Sequence, residues 1–420
     1  MGNSWIRAAG VLSMLAAAGF GTYFAWHALA PRAARQVAPP ETVPEFIARH
    51  WPEALAPQGD PPAGLSPVEA SLGPDACGQC HARQFGDWKT SLHARSMGPG
   101  IQWQFHAMSQ QGANRCLRCH APLAEQKALL ALERGWANAP STPAPPHVPA
   151  DLHRRGLVCA ACHVRRHERF GPPPRPDAVV AAADAPHGGF SVQAAFQDSL
   201  FCAVCHQFPA DGARLNGKLI EDTYEEWRAS PAARAGQSCQ SCHMPDRRHL
   251  WRGIHDADMV RQALRVRLSL HPEARGEYRA EAELANTGAG HHFPTYLIPE
   301  VVATLALMDP EGRVRAVLAR HVIGRKADLG LTREISDTRI ASGERVLVGG
   351  RFASPPTQGW SVELRVVVHP DKHYELLFRN VLERGERRAP EAERMLREAL
   401  AQAESSTFEL FRLREAVPAR

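Results

Sequence analysis

From about residue 260 onward, apolar and polar positions alternate along the chain: Ala263 to Leu270, Glu277 to Leu284, Val301 to Met308, Val314 to Arg320, Ile340 to Phe352 and Ser361 to Val368. A period of two, broken by Gly, Pro and Asp turns at intervals of about ten residues, predicts a β-sandwich. A helix from Pro390 to Ala403 and a strand from Thr407 to Arg412 close the chain. Upstream the alternation disappears. Thr90 to Met97, Leu123 to Gly135 and Thr223 to Ser230 read as short helices, Pro140 to Pro149 and Gly171 to Pro176 as loops, and no sheet is expected between them. Residues 31–72 are dense in Pro and Ala and read as a semi-rigid spacer, with a helical turn from Pro44 to Trp51 docking on the domain downstream of it. Ala8 to Ala30 contains no Asp, Glu, Lys or Arg. It is long enough to span a bilayer, and its Ala-Leu-Ala end also resembles a signal-peptide cleavage site. Both readings export the rest of the chain.

Composition adds one exclusion. The 420 residues carry 49 Lys and Arg against 44 Asp and Glu, a net +5 spread along the chain. Without a basic stripe, nucleic acid is not an expected partner.

The cysteines decide the chemistry. There are 10, which in an exported chain would ordinarily suggest disulfides. They fall instead into five Cys-x-x-Cys-His motifs: Cys77, Cys80 and His81; Cys116, Cys119 and His120; Cys159, Cys162 and His163; Cys202, Cys205 and His206; Cys239, Cys242 and His243. Composition alone gives about 0.01 such motifs by chance. A zinc site built on paired cysteines does not explain a histidine in the next position five times. The spacing suits thioether bonds from the two sulfurs to one haem, with the adjacent imidazole as the proximal iron ligand, and so implies five haem c groups. Successive motifs start 39, 43, 43 and 37 residues apart. So little protein per haem cannot build a separate pocket around each, and the haems are expected to pack against one another.

Of 21 histidines, 16 remain outside the motifs. His93, 12 residues past His81, is a candidate distal ligand. His167, four residues past His163, is expected to reach a neighbouring haem. His249 and His255 are expected to supply one ligand between them, and His291 or His292, in a Gly-rich loop ending in Phe-Pro, to leave the sandwich and cap a haem. His187 is a further candidate.

Three stretches carry a resemblance: Trp88 with Ser91-Leu92-His93-Ala94 after the first motif, Gly156 to His163 with His167 soon after, and Cys239 to Pro245. With these the chain resembles the multihaem cytochrome c superfamily that includes the tetrahaem acceptor of hydroxylamine oxidoreductase and, more distantly, pentahaem nitrite reductase. The resemblance covers about residues 75–300 and implies extracytoplasmic electron transfer. All five motifs end in His, where those nitrite reductases typically hold the catalytic haem with Lys. The tyrosine cross-link of hydroxylamine oxidoreductases has no clear counterpart, since Tyr224 alone lies within the haem region.

The expected architecture is an N-terminal transmembrane or signal helix (1–30), a linker (31–72), an α-rich pentahaem domain with little sheet (73–258) and a β-sandwich domain with a late helix (259–420). The expected function is electron transfer through mostly bis-histidine haems at the periplasmic side of the membrane. Its expected partners are a redox donor and acceptor, a quinol-oxidising membrane protein among them. The alternative is an oxidoreductase that acts on a small nitrogen or sulfur oxyanion at one five-coordinate haem.

Overall fold

The computed structural model describes residues 41–175 and 186–418. The expected N-terminal anchor or signal and the first part of the linker lie outside them. No helix among the described residues is long and apolar enough to cross a membrane. Val43–Arg420 forms one compact unit.

The first described helix is α1 (Val43–His50), whose Phe46, Ile47 and His50 are buried. Phe46 stacks on His50 at 4.7 Å, and His50 meets Phe170 edge-on at 5.1 Å. His50 Nε2 also lies 2.8 Å from the carbonyl of Cys162, so this helix braces the third motif.

Each motif ends on or beside a short helix: α2 (Pro74–Gly78), α4 (Gln110–His120), α6 (Cys159–His163), α7 (Leu200–His206) and α9 (Cys239–His243). Ser109 caps α4 and Ser238 caps α9, each side chain accepting a first-turn amide that would otherwise lack a partner. Between them lie α3 (Ala82–Lys89), α5 (Ala124–Arg134) and α8 (Thr223–Arg228). Among the described residues, sheet in this region is confined to short ladders: Val164–Arg165 with Glu168–Gly171, the latter with Ser191–Val192, and Arg214–Leu215 with Lys218–Leu219.

The sheet-rich region has eight antiparallel strands: β1 (Leu264–Pro272), β2 (Glu277–Asn286), β3 (Glu300–Met308), β4 (Val314–Ala327), β5 (Glu334–Asp337), β6 (Arg345–Ala353), β7 (Ser361–His369) and β8 (Phe408–Ala416). One sheet has the order β5-β4-β3-β7-β8 and the other β6-β2-β1. Tyr278, Ala280, Ala282 and Leu284 point inward from β2, while Arg279, Glu281 and Glu283 point out. They meet Val301, Ala303, Leu305, Val362, Leu364 and Val366 of the facing sheet in one apolar core. Each fully buried Val or Leu there contributes about 1.5–3 kcal/mol.

Two helices follow β7: α10 (Lys372–Glu383), which the alternation pattern does not anticipate, and α11 (Pro390–Ser405). They pack against each other. Phe378, Leu396 and Ala399 form a cluster against Trp103, which belongs to the connection between the first two motifs. The C-terminal helices therefore pack into the motif region.

Candidate haem sites

None of the ten motif cysteines forms a disulfide. Sulfurs of different motifs lie close together, Cys77 beside Cys159, Cys119 beside Cys205 and Cys202 beside Cys239. Cys162 lies within electrostatic reach of Cys202 and Cys205. The first motif thus adjoins the third, the second and fifth both adjoin the fourth, and all five belong to one cluster.

Four of the five motif imidazoles face a second imidazole. Ring centroids lie 6.5 Å apart for His81 and His187, 6.1 Å for His163 and His249, 6.3 Å for His206 and His93, and 6.3 Å for His243 and His291. Two metal–imidazole bonds of about 2 Å, with each ring centre about 1 Å behind its nitrogen, give roughly 6 Å across an iron. The spacing leaves room for one metal atom between each pair.

The outer ring nitrogens support the same use. Nδ1 of His163 lies 2.8 Å from the Phe170 carbonyl, that of His243 2.7 Å from Arg252 O, that of His187 2.8 Å from Gly189 O, that of His291 2.8 Å from His292 O and that of His249 3.1 Å from Arg247 O. A carbonyl at Nδ1 holds the proton there and leaves Nε2 bare, the tautomer a metal ligand requires. Burial pulls His93 down to about 3 and His163 and His243 to about 4, which keeps these imidazoles neutral. The donor set, and the tautomers of the five rings held in this way, fit haem c at the cysteine motifs.

His120 differs. Its Nδ1 lies 2.6 Å from the Ser96 carbonyl, and Ser96 Oγ donates to the His120 carbonyl at 2.8 Å, so the ring is seated like the others. Among the described residues no imidazole stacks opposite it. Met97, the next residue after Ser96, is buried in an apolar cluster with Phe105, Ala113 and Leu117.

The remaining candidates are engaged elsewhere. His167 does not reach a neighbouring motif. It sits at φ 61° in the turn of a short ladder, its Nε2 is 3.0 Å from Gly59 O, and its ring meets His147 edge-on at 5.1 Å. His255 pairs with Asp371 at 2.8 Å, and His292 Nδ1 lies 3.3 Å from Glu226. Spacing from the motif does not reveal such diversions, because it does not say which way a turn points.

The arginines near the motifs also separate. Arg248 is committed to Asp87 through two bonds of 2.6 and 2.7 Å, and Arg247 donates to Pro173 O at 2.8 Å. Arg165 is half-buried over the Trp51 ring at 4.7 Å, donates to the His50 and Ala161 carbonyls, and keeps one buried Nη nitrogen without a partner. A guanidinium nitrogen buried without an acceptor is costly, and a haem propionate would meet it.

Residues 76–138 match the family model described as cytochrome c554 and c-prime. The chain has the make-up of a multihaem c-type cytochrome. Nine solved chains match, among them the penta-heme cytochrome c552 from Thermochromatium tepidum, whose fold is similar, with a TM-score of 0.58, 16% identity, and coverage of 84% of this chain and 100% of that one. No curated protein sequence matches. At this level the matches support covalently bound haem c and electron transfer.

Proposed function

We propose that the chain is an electron carrier holding five haem c groups, four between paired imidazoles and one on His120 with its other face free of histidine. The four histidine pairs at 6.1–6.5 Å carry this reading. Haem c supplies a one-electron iron couple. The protein supplies neutral Nε2 donors on fixed rings, thioether sulfurs that hold the macrocycle, and motifs close enough that electrons pass from one haem to the next. Donor and acceptor are redox proteins on the extracytoplasmic side, a quinol-oxidising membrane protein being the donor class. The apolar N-terminal segment serves as anchor or export signal.

A second reading rests on His120 alone. His120 would hold a haem with no second imidazole, and such a haem would offer its other face to a small nitrogen or sulfur oxyanion, the other four serving as the source of electrons.

Low-temperature EPR of the oxidised protein, with carbon monoxide binding to the reduced protein, tests both. Four low-spin signals, one high-spin signal and one carbon monoxide bound per chain are expected. Five low-spin haems with no carbon monoxide bound would remove the second reading and leave the carrier. Fewer than four low-spin haems would break the pairing.

A further inference from the structure

All four opposing imidazoles arrive on segments remote from the motif they face, and three are tied down by a carboxylate at their own backbone amide or the next one. Glu69 Oε1 accepts from His187 N at 2.6 Å. Asp87 Oδ2 accepts from His249 N at 3.0 Å while its carboxylate also takes both Arg248 bonds. Glu226 Oε2 accepts from His292 N, the residue after His291, at 3.1 Å and from Thr295 Oγ1 at 2.7 Å.

From this arrangement we propose that Asp87, Glu226 and Glu69 are positioning residues that set the axial imidazoles of three haems. The proposal rests on the histidine pairs as haem ligands. Each carboxylate stands on an element other than the one it holds: Glu69 just before the first motif, Asp87 on α3 and Glu226 on α8. The aim of a ligand is thereby coupled to the packing of a second element, since an amide bonded to a carboxylate fixes the backbone from which the imidazole projects.

The strength of the clamp differs among the three. The side chains of Asp87 and Glu226 are 6% and 5% exposed. Both are matched by an arginine, Arg248 at 2.6 Å and Arg339 at 2.7 Å, so they are charged and dry. Glu69 lies nearer solvent, where its other oxygen takes the Ser66 amide and hydroxyl. Water can replace it there.

Around Glu226 the loop has little freedom. Asn286 Nδ2 donates to the His291 carbonyl at 2.8 Å and to Ile340 O at 3.0 Å. A Cβ on Gly290 would press on Ala232 and Trp227, at 3.0 and 3.2 Å. Asn286 fixes the loop from the sheet side and Glu226 from the motif side, and His291 projects between them.

The test uses the full chain loaded with haem. Asp87→Ala, Glu226→Ala and Glu69→Ala are compared with His249→Ala, His291→Ala and His187→Ala by EPR, carbon monoxide binding and haem content. The first two carboxylate variants are expected to lose one low-spin haem equivalent each and to gain one equivalent of carbon monoxide binding, with haem content unchanged. Added imidazole is expected to restore the low-spin signal. Asp87→Asn and Glu226→Gln keep an acceptor oxygen and are expected to stay low-spin, and Glu69→Ala is expected to convert only in part. If an alanine variant loads fewer haems, Glu226→Asp, with its carboxylate drawn back by one methylene, is expected to give a mixed-spin signal for that haem, and an unchanged spectrum overturns the proposal. The proposal also fails if Asp87→Ala and Glu226→Ala keep every low-spin signal while His249→Ala and His291→Ala each lose one. Unchanged spectra in the histidine variants themselves would sink the pairing.

Discussion

Gly156 packs against the carbonyl oxygen of His93. It holds φ at 68°, in the left-handed region, and a Cβ there would press on that oxygen and on Ser96 Oγ. The next amide, Leu157 N, donates to the same carbonyl at 2.9 Å, and the Gly156 carbonyl takes Gln126 Nε2 at 2.8 Å. His93 thus owes its place opposite His206 to a residue 63 positions downstream. Gly156→Ala is expected to destabilise the fold by about 1–3 kcal/mol through backbone strain and displacement of His93. It is also expected to shift the EPR signal of the haem at the fourth motif while leaving the others in place. A stability loss with all low-spin signals unmoved would show that the contact is only structural.

Arg325 gives a second prediction, on how the sheets join the motif region. Its side chain is 1% exposed and lies 2.8 Å from Glu334. It also donates to the carbonyls of Leu219, Leu215 and Lys218 at 2.6, 3.1 and 3.2 Å, all in the hairpin after the fourth motif. Arg325→Ala takes the donor from three carbonyls while Glu334 keeps Lys218 at 2.9 Å, so the loss should stay below the ~3–5 kcal/mol of a buried pair broken on one side. Lys cannot reproduce the planar fork, so Arg325→Lys should recover only part of the loss. Chemical denaturation followed by far-ultraviolet circular dichroism reads both, and equal midpoints for wild type and Arg325→Ala would refute the assignment.

Parts of this arrangement are legible in the sequence because they are local. Cys-x-x-Cys-His is complete within five residues, and the sheets announce themselves through alternation, as in Tyr278, Ala280, Ala282 and Leu284. The partners of the motif histidines are not local. His93 and His249 lie 113 and 86 residues from the imidazoles they face, and nothing in the intervening sequence encodes the pairing. His167 shows the converse, a histidine close to a motif whose turn carries it toward Gly59. The carboxylate anchors are invisible to spacing altogether, since Glu69, Asp87 and Glu226 belong to no motif. The helix α10 does carry a helical signal in Tyr374, Leu377, Phe378 and Val381, yet its packing toward Trp103 is a property of the fold.

His167 supplies a third prediction. Since its ring nitrogen faces Gly59 O and its neighbour is His147, His167→Ala should leave every EPR signal in place, whereas His249→Ala should remove one low-spin signal. Loss of a low-spin haem in His167→Ala would return that residue to the ligand set and displace His249.

Acid should loosen the segment that leads into the third motif. Glu133, at the end of α5, has its side chain 23% exposed and lies 2.6 Å from His153 and 2.8 Å from Arg154. The hydrogen bond from His153, and then those from Arg154, hold its carboxyl at about 2, against 4.5 ordinarily. A carboxyl whose value is depressed in the folded state favours folding fully above its unfolded value. That contribution is lost as pH falls from about 4.5 through about 2. A shift of this size corresponds to at most about 3 kcal/mol, and partial exposure reduces it. Wild type should therefore exceed Glu133→Gln in stability near neutral pH, and the gap should close across that acid window. Denaturation midpoints measured from about pH 7 down to about pH 2 decide it: curves that stay parallel throughout would mean that the Glu133 charge contributes nothing to holding His153 and Arg154 against α5.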